Sequence, residues 1–352
     1  MVQGSSSSQD RAPDIRKGIR SLLLFAVPSL LVVVLSSLRG RDVGSVVRAM
    51  DWRYVGAMAV LAAAKWAVDG LRLYVLVMMV GHYVSFWRSF FIELASIFGA
   101  NITPFYSGGL ATQIFFLTDA SVSLGQASAV GVAYSILNLA ANLVLSVAVL
   151  LVPSPIGAGL RRTATVGLAG IMGICAVLIF LGARHPDRAE NLLRRLLHGK
   201  GRIADRVTSV LGEFSEGMKA LMSSKGASVL GLVAVSFVSQ VMSLSFTPLA
   251  FQALRVPYRS LVETLLLQAS VQFSSSAGAT PGGIGILEAV FAFFFAPLAG
   301  NETATLTLLW RLGTFYIPTM TGALAFMWLL RWHKRNEAAA SRTPLPDSDP
   351  TS

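Results

Sequence analysis

The sequence predicts an all-α, polytopic helical membrane protein with about six full spans and two re-entrant, broken-helix hairpins in an inverted-repeat arrangement. Hydrophobic residues make up 54% of the chain and charged residues only 13%, which is far from the composition of a soluble domain. Apolar runs that could cross about 30 Å of hydrocarbon recur along the chain. Two runs are interrupted by Thr-Pro followed within five positions by paired glycines, once after residue 102 and once after residue 279. These observations together predict helices that cross a bilayer and two that break inside it.

Charge and cysteine content narrow the classes of protein that the sequence can encode. The formal net charge of +11 would suggest a nucleic-acid partner in a soluble chain. Here the lysines and arginines lie mainly between or beside apolar runs, where they orient spans and meet anionic lipid, so no nucleic-acid partner is expected. The single cysteine, Cys175, forms no intramolecular disulfide, and the four histidines are too far apart in sequence to suggest a metal site. We therefore expect neither a metal nor a cofactor.

The first part of the chain is predicted to be a tail followed by a retained span. Residues 1–18 are Ser-rich, polar and basic, which is typical of a disordered cytoplasmic tail. The apolar run over residues 19–38 lacks a small-residue cleavage site and follows a cluster of basic residues. These features predict a span whose N-terminal end faces the cytoplasm, at the start of a transmembrane domain over residues 19–335.

The second predicted span, residues 54–80, carries charges within its apolar run, namely Lys65, Asp69 and Arg72. Lys65 and Asp69 are four positions apart on one helix face, so they are expected to pair. Ionisable residues inside a membrane commonly mark a functional site, but a local pair also neutralises both charges cheaply. Functional and structural roles both remain open for these residues.

The first Thr-Pro interruption lies within residues 90–117, which form two apolar limbs of about 10–14 residues each, too short to span alone. Proline removes a backbone donor and glycines permit strained dihedral angles, so we predict a re-entrant hairpin that lines a cavity. Backbone amides after the proline would present the positive end of a helix to an anion such as a lipid phosphate. Close helix packing is the alternative role for the glycines. The candidate residues here are Thr103, Pro104, Gly108 and Gly109.

The middle of the chain is predicted to form two spans and a basic insert. The span over residues 127–152 carries Asn138 and Asn142, whose amides are expected to bond neighbouring helices or to contact substrate. A further span is predicted over residues 166–183. The insert over residues 184–226 is rich in arginine and lysine, and apolar residues recur in it at helical spacing, which predicts an amphipathic helix on the cytoplasmic leaflet. Those apolar residues are Ile203, Val207, Val210, Leu211 and Phe214.

The last third of the chain repeats the pattern of the first. A span is predicted over residues 227–254, the second interrupted hairpin over residues 261–298 and a final span over residues 304–330. The basic residues after the final span place its C-terminal end in the cytoplasm, ahead of a disordered cytoplasmic tail over residues 336–352. With both hairpins re-entrant, the first hairpin enters from the cytoplasm and the second enters from outside.

The second interruption brings a carboxylate and a guanidinium to a similar depth in the bilayer. Glu288 lies seven residues after Pro281, and Arg311 lies about seven residues into the final span. At a rise of about 1.5 Å per residue, each is displaced by about 10 Å from its own starting point. With the hairpin tip at the bilayer centre, about 15 Å deep, their depths differ by only about 5 Å, which an arginine side chain can bridge, so the two side chains are expected to pair. The pair either recognises a charged or zwitterionic headgroup or clamps helices together. The candidate residues here are Thr280, Pro281, Gly282, Gly283, Gly285, Glu288 and Arg311.

Four segments carry a resemblance to a known family: GANITPFYSGGLATQ from residue 99, VSLGQA from residue 122, TPGGIGILE from residue 280 and WRLGTFYIP from residue 310. Over roughly residues 50–330, the chain resembles the flippase-like transmembrane region of the lysylphosphatidylglycerol synthase family. The resemblance implies that, in the bifunctional relatives, this region moves aminoacylated phospholipid between leaflets and a soluble C-terminal domain makes that lipid. This chain ends shortly after its final span, so lipid aminoacylation is not expected of it.

The resemblance also bears on the first hairpin and on the class of lipid. Many relatives have an acidic or amide residue after the first glycine pair, where this chain has Leu110. Gln113 is the nearest polar side chain and joins the candidate substrate-binding residues. The family also includes proteins associated with polyprenyl-phosphate sugar chemistry, so phospholipid and polyprenyl-phosphate substrates both remain open.

We therefore expect a flippase or lipid transporter of the cell (plasma) membrane, with both termini cytoplasmic, and not an enzyme. Its expected partner is a phospholipid or polyprenyl-phosphate lipid with an anionic or zwitterionic headgroup. A biosynthetic enzyme and a second copy of the chain are further candidate partners. The alternatives are a non-transporting scaffold and a glycosyltransferase-like, lipid-modifying enzyme of cell-envelope biosynthesis. The acids within apolar runs form no visible acid–base constellation, which weighs against the enzyme; they are Asp69, Glu93, Glu263 and Glu288.

Overall fold

A computed structural model of the chain describes residues 47–151, 201–224, 226–258, 260–275 and 280–340, together with the single positions 170 and 173. Within these ranges the regular structure is helical and contains no strand. Several predicted segments lie outside the described residues: the tail over 1–18, nearly all of the spans over 19–38 and 166–183, the start of the basic insert over 184–200, and the end of the C-terminal tail over 341–352.

The described residues form eleven α-helices, and the predicted order of helices and interruptions is confirmed in this part of the chain. The helices are α1 (Trp52–Met79), α2 (Phe86–Asn101), α3 (Ser107–Asp119), α4 (Leu124–Leu151), α5 (Gly201–Ser223), α6 (Gly226–Leu244), α7 (Phe246–Ala253), α8 (Leu261–Ser275), α9 (Ile286–Ala299), α10 (Thr303–Arg311) and α11 (Ile317–Ala340). A π-helical turn, Leu312–Tyr316, joins α10 to α11. Because α11 continues to Ala340, helix extends five residues into the segment predicted as tail.

Local sequence signals account for several helix ends. Asp51 caps α1 by accepting a hydrogen bond from the Arg53 amide, and Ser85 caps α2 in the same way. After α1, Gly81 takes a φ of 84°, a left-handed conformation that is strained for residues with a side chain. The two interruptions separate α2 from α3 and α8 from α9. Their helical limbs have 16 and 13 residues in the first case, and 15 and 14 in the second.

Three helical stretches among the described residues are long and apolar enough to cross a membrane by length and composition: Leu124–Asn142, Gly226–Ala253 and part of Pro281–Arg335. These stretches identify the chain as a helical membrane protein. Helix α1 is not among them, and it carries the buried charges Asp69 and Arg72.

The molecule has two ends, at which loops that are distant in sequence come together. At one end Asp119 accepts hydrogen bonds from Arg88 and His333, at 2.8 and 2.5 Å, and His82 lies 2.5 Å from Gln126. We call this the Asp119 end. At the other end, which we call the Asp51 end, the Asp51 amide donates to the Ala253 carbonyl at 2.8 Å. The outer ends of α2 and α3 therefore lie at the Asp119 end, whereas α1 begins and α7 ends at the Asp51 end.

Two apolar clusters fill the space between the helices. The first lies where α2 packs against α3 and α11, and it contains the fully buried Phe116 in contact with Phe326. The second lies among α1, α7, α8, α9 and α10, where Phe291 stacks on Trp310 with ring centroids 4.4 Å apart. Since helices in lipid gain little from burying apolar surface against each other, close packing carries much of their association.

The basic insert has a protein partner for part of its apolar face. Helix α5 is confirmed as a helix of 23 residues, and it packs along α4. The Gly125 amide donates to Glu213 at 3.2 Å, and a Cβ on Gly217 would lie 2.9 Å from the Ala129 Cβ. Of the predicted apolar residues, Val210 and Phe214 are half-buried, and the nearby Met218 is buried. Placement of this helix on the cytoplasmic leaflet stays a prediction.

Candidate functional site

The two interruptions share one backbone conformation. In the first, Thr103 is extended (φ −119°, ψ 147°), and after Pro104 both Phe105 and Tyr106 take left-handed conformations, with φ of 55° and 56°. In the second, the extended Thr280 and the following proline lead to Gly282 and Gly283, with φ of 61° and 65°. The residue before a proline is pushed out of the helical region, and in the first turn the extended Thr103 follows the end of α2 closely.

The two pairs of glycines, which the sequence pattern presented as equivalent, have different roles. The predicted equivalence of the two pairs was therefore wrong. Gly282 and Gly283 occupy left-handed positions, which favour glycine. Gly108 and Gly109 lie inside α3, where they allow close packing against α2. A Cβ on Gly109 would lie 3.0 Å from the Cβ of Ala100, and one on Gly108 would collide with the Gly99 carbonyl oxygen. The first pair therefore serves the helix packing that was the alternative role for these glycines.

The two interrupted turns contact each other. A Cβ on Gly283 would lie 3.1 Å from the hydroxyl oxygen of Tyr106, and α2 also packs against the second turn. Hairpins that start near opposite ends of the molecule thus touch at their tips.

The predicted pair of Glu288 and Arg311 is confirmed, and it closes the second turn. The Arg311 Nε lies 2.8 Å from Glu288 Oε1, although its N–H does not point along the line to that oxygen, so the contact is an ion pair rather than an aligned hydrogen bond. The Glu288 Oε2 accepts a hydrogen bond from the Gly285 amide at 2.7 Å. The Arg311 guanidinium also donates to the Gly282 and Gly283 carbonyls at 3.4 Å each. Both charged side chains are buried, and their described contacts stabilise the turn.

A polar cavity of about 580 Å³ opens beside the first turn. It lies between α1, α2, α3, α4, α6 and α8, and its wall combines charged groups with amides and hydroxyls. Its main polar lining residues are Lys65, Asp69, Arg72, Glu93, Ser96, Tyr106, Gln113, Tyr134, Asn138, Asn142, Ser239, Gln240 and Gln272. Phe105, of which 62% is exposed, is also on the wall, so the cavity reaches the molecular surface.

Helix α1 contributes an ion-pair cluster to this cavity. The predicted pair of Lys65 and Asp69 is confirmed, with Nζ 2.6 Å from Oδ2. The Asp69 Oδ1 accepts a hydrogen bond from Ser239 of α6 at 2.6 Å and lies 3.5 Å from Arg72 Nη2. The Asp69 carboxylate therefore has a cationic nitrogen near each of its oxygens.

Arg72 links α1 to α4 from a position where only 1% of the residue is exposed. Its Nη1 donates to the amide oxygen of Asn138 at 2.9 Å, which confirms that this amide bonds a neighbouring helix. Its guanidinium carbon lies 3.8 Å from the centroid of the Tyr134 ring, close enough for a cation–π interaction. The Arg72 Nε has no hydrogen-bond partner among the described residues, which leaves one buried donor unsatisfied.

Glu93 of α2 is the second acid of the cavity, and both its oxygens accept from neutral groups. The Tyr134 hydroxyl donates to Oε1 at 2.6 Å, and the Gln113 amide donates to Oε2 at 2.7 Å. The sequence predicted Gln113 as a substrate-binding residue, but it assigned Glu93 to no group of interacting side chains. Glu93 could have been identified as a site residue from the sequence, because it is the only charged residue within the apolar part of α2. Nothing in the sequence identifies Tyr134 as a site residue.

The predicted site residues divide between the two turns. Gly109 and Gln113 line the cavity, and Thr103, Pro104 and Gly108 build the turn beside it, where the Thr103 hydroxyl accepts from the Gly108 amide at 2.7 Å. The second set does not contribute to the cavity wall that the described residues form: Thr280, Pro281, Gly282, Gly283, Gly285, Glu288 and Arg311. The structure therefore assembles one polar site, centred on α1, α2 and α4, and a separate clamp on the second turn.

Comparison with known proteins agrees with this architecture. A UPF0104 membrane protein of Archaeoglobus fulgidus is 24% identical over 290 residues, which cover 80% of this chain and 88% of that protein. No solved structure matches the chain. The sequence profile described as the lysylphosphatidylglycerol synthase TM region matches residues 19–322, which is most of the chain. The chain belongs to this family of membrane proteins.

Proposed function

We propose that this protein binds the polar headgroup of a membrane lipid in the cavity beside the first turn and moves the lipid between leaflets. The observation that carries the proposal is the cavity itself, which encloses about 580 Å³ and has four charged side chains on its wall in an apolar helical protein. Family membership supports the coarser statement that the protein serves lipid metabolism or transport.

The composition of the cavity fits a headgroup better than it fits a purely structural core. A buried charge at the bilayer centre costs at least about 2.5–3.5 kcal/mol, so such groups face a wet cavity or a substrate path. The charges Lys65, Asp69, Arg72 and Glu93 all lie on this one wall. Ligand cavities of about 300–1,000 Å³ hold small molecules, and a headgroup falls within that range.

The entrance to the cavity supports a ligand that stays partly in the bilayer. Phe105 and Leu110 are apolar, at least one third exposed, and on the cavity wall. A lipid could therefore place its headgroup against the charged residues while its acyl or polyprenyl chain lies along apolar side chains. We infer that movement at the contact between the two turns changes the leaflet to which the cavity opens, as in transporters built from inverted repeats.

Lipid movement in proteoliposomes tests the proposal. The purified protein is reconstituted with fluorescent phospholipid or polyprenyl-phosphate probes, and the fraction of probe reached by a membrane-impermeant quencher is followed. We expect Asn138→Leu to reduce the rate at least about tenfold, because it removes the partner of Arg72 and adds an apolar group to the wall. The matched control is Asn301→Leu, at an exposed loop position outside the cavity.

The outcomes separate the candidate functions. Movement of one class of probe that Asn138→Leu abolishes would support the cavity as the route and identify the lipid class. Equal rates for both variants would show that the cavity is not the route. Folded protein that moves no probe would favour the scaffold or the lipid-modifying enzyme.

A further inference from the structure

We propose that Glu93 takes up a proton when the cavity binds an anionic lipid headgroup, so that protonation and lipid binding are coupled. This inference rests on the proposed function, because it concerns the same cavity. It adds a substrate class, a lipid with a single net negative charge, and an energy source, the proton gradient.

The two acids of the cavity have different neighbours. Asp69 lies within ion-pair distance of Lys65 and Arg72, at 2.6 and 3.5 Å. The hydrogen-bond partners of Glu93, Tyr134 and Gln113, are both neutral. Among the described residues, no ion pair is formed by Glu93, and a buried carboxylate without a cation at ion-pair distance is more costly to ionise than one held by two cations. Glu93 is therefore the acid of this cavity that exchanges a proton.

The groups packed around Glu93 set the sign of the coupling. Helix α1 contributes Lys65, Asp69 and Arg72, α4 contributes Tyr134, and α3 contributes the neutral Gln113. The charged and titratable side chains of α11 all follow Leu330, and His333 among them pairs with Asp119 at the Asp119 end. With Glu93 ionised, the two cations and two anions of the cavity cancel. With Glu93 protonated, the cavity carries one net positive charge and attracts an anion.

Hydrogen bonding allows the proton to be accommodated without an unsatisfied group. The Tyr134 hydroxyl now donates to Glu93 Oε1, but a hydroxyl can also accept. After protonation, the Glu93 O–H can donate to the Tyr134 oxygen, and the Tyr134 proton can turn toward a bound anion. The Gln113 amide continues to donate to Oε2. The carboxylate gains one proton from the aqueous phase, and no other group changes its protonation state.

Arg72 supplies the cationic partner for the anion. It is almost fully buried, lines the cavity, and its Nε has no hydrogen-bond partner among the described residues. Its guanidinium lies on the Tyr134 ring, whose hydroxyl reaches Glu93. Arg72 thus lies on the cavity wall beside Tyr134 and the proton site.

Thermodynamic linkage makes the coupling measurable. If protonation strengthens anion binding, anion binding strengthens protonation by the same factor. One coupled proton allows the affinity to increase at most about tenfold for each unit by which the pH falls. A lipid that crosses together with the proton is driven toward the side of higher pH.

The test is a binding titration on the full chain in nanodiscs of phosphatidylcholine, between pH 5.5 and 8. The probe is dihexanoyl phosphatidylglycerol, whose charge is constant over this range. Dihexanoyl phosphatidylcholine serves as the zwitterionic arm, and glycerophosphoglycerol, a soluble phosphodiester of constant charge, serves as the soluble-anion arm. Calorimetry in buffers of different ionisation enthalpy measures the number of protons taken up. We expect phosphatidylglycerol to bind more tightly at lower pH with up to one proton taken up, and neither comparison ligand to match it.

The variants identify the group that titrates. Glu93→Gln should bind phosphatidylglycerol at pH 8 as tightly as the natural chain does at low pH, with no proton uptake, and Glu93→Asp should keep the pH dependence. The control is Glu263→Gln, a buried acid of α8 that does not line the cavity. If Glu93→Gln does not fold, Tyr134→Phe replaces it. Loss of the hydroxyl that stabilises the carboxylate should move the tight-binding range to higher pH.

Failure of the coupling is distinguishable from failure of the proposed function. Binding by the natural chain that is independent of pH, or an unchanged pH dependence in Glu93→Gln, would overturn the coupling while the lipid site stands. A Tyr134→Phe variant with an unchanged pH range would overturn it as well. If the folded natural chain binds no lipid at any pH, or binds glycerophosphoglycerol equally well, the proposed lipid site itself is wrong.

Discussion

At the residue scale, Phe105 and Tyr106 have the left-handed conformation that glycines, Gly282 and Gly283, adopt at the corresponding positions of the second turn. A left-handed residue with a side chain costs roughly 1–2 kcal/mol, and the two stand side by side. Both side chains line the cavity, and Tyr106 also reaches Gly283 of the second turn. Strain of this kind persists where the surrounding structure enforces it, and it concentrates at functional sites. We infer that the first turn keeps side chains at these positions because they form the cavity wall.

Substitution of Phe105 measures this strain. Phe105→Gly and Phe105→Ala both remove the ring, but only glycine relieves the left-handed conformation. We expect the glycine variant to be more stable than the alanine variant by about 1 kcal/mol. Unfolding by denaturant in detergent micelles gives the difference. An alanine variant at least as stable as the glycine variant would show that position 105 is not strained.

At the element scale, the two interrupted turns have one backbone geometry but different support. The first turn is held by the Thr103 side chain, which donates to the Gly99 carbonyl and accepts from the Gly108 amide. The second is held by Glu288 and Arg311, whose contacts converge on the backbone of Gly282, Gly283 and Gly285. These contacts agree with a helix clamp, which is one of the two roles that the sequence left open.

The clamp predicts non-additive effects on stability. Arg311→Met leaves the buried Glu288 without this cation and should lower the free energy of unfolding by about 3–5 kcal/mol. Adding Glu288→Gln should restore a large part, since a neutral amide oxygen can still accept from the Gly285 amide. Denaturant unfolding of the single and double variants tests this. A double variant no more stable than Arg311→Met would contradict the clamp.

At the scale of the whole molecule, the two ends defined by Asp119 and Asp51 are consistent with the predicted topology. The Asp119 end gathers the α1–α2 loop, the α3–α4 loop, α5 and the last turns of α11. These are the segments that the charge distribution assigned to the cytoplasm. The Asp51 end gathers the start of α1 and the end of α7, which were assigned to the outside.

Thiol labelling in intact cells tests this topology. In a Cys175→Ser background, we place single cysteines at Tyr83 in the α1–α2 loop and at Asn301 in the α9–α10 loop; both positions are exposed. A membrane-impermeant maleimide added from outside should label position 301 and label position 83 only after the cells are opened. Labelling of both from the same side would contradict hairpins that enter from opposite leaflets.

The sequence by itself determined the features that depend on neighbours along the chain. The bounds of α1, the two interruptions and the pairing of Lys65 with Asp69 follow from apolar runs, prolines and i, i+4 spacing, each of which acts over a few residues. The pairing of Glu288 with Arg311 was also predictable, because the constant helical rise gives the two residues a similar depth when Glu288 is counted from the turn and Arg311 from the start of the final span.

Only the tertiary structure decided which polar residues share a cavity and what each glycine does. Arg72 meets Asn138 across 66 residues, Asp69 meets Ser239 across 170, and Glu93 meets Tyr134 across 41. Such pairings depend on the rotation and depth of whole helices, which are set by the packing of many side chains. The two glycine pairs are identical in sequence, but one pair adopts left-handed conformations and the other lies in a helix–helix contact. The sequence does not distinguish these roles, because backbone angles and neighbouring atoms are fixed only when the helices pack.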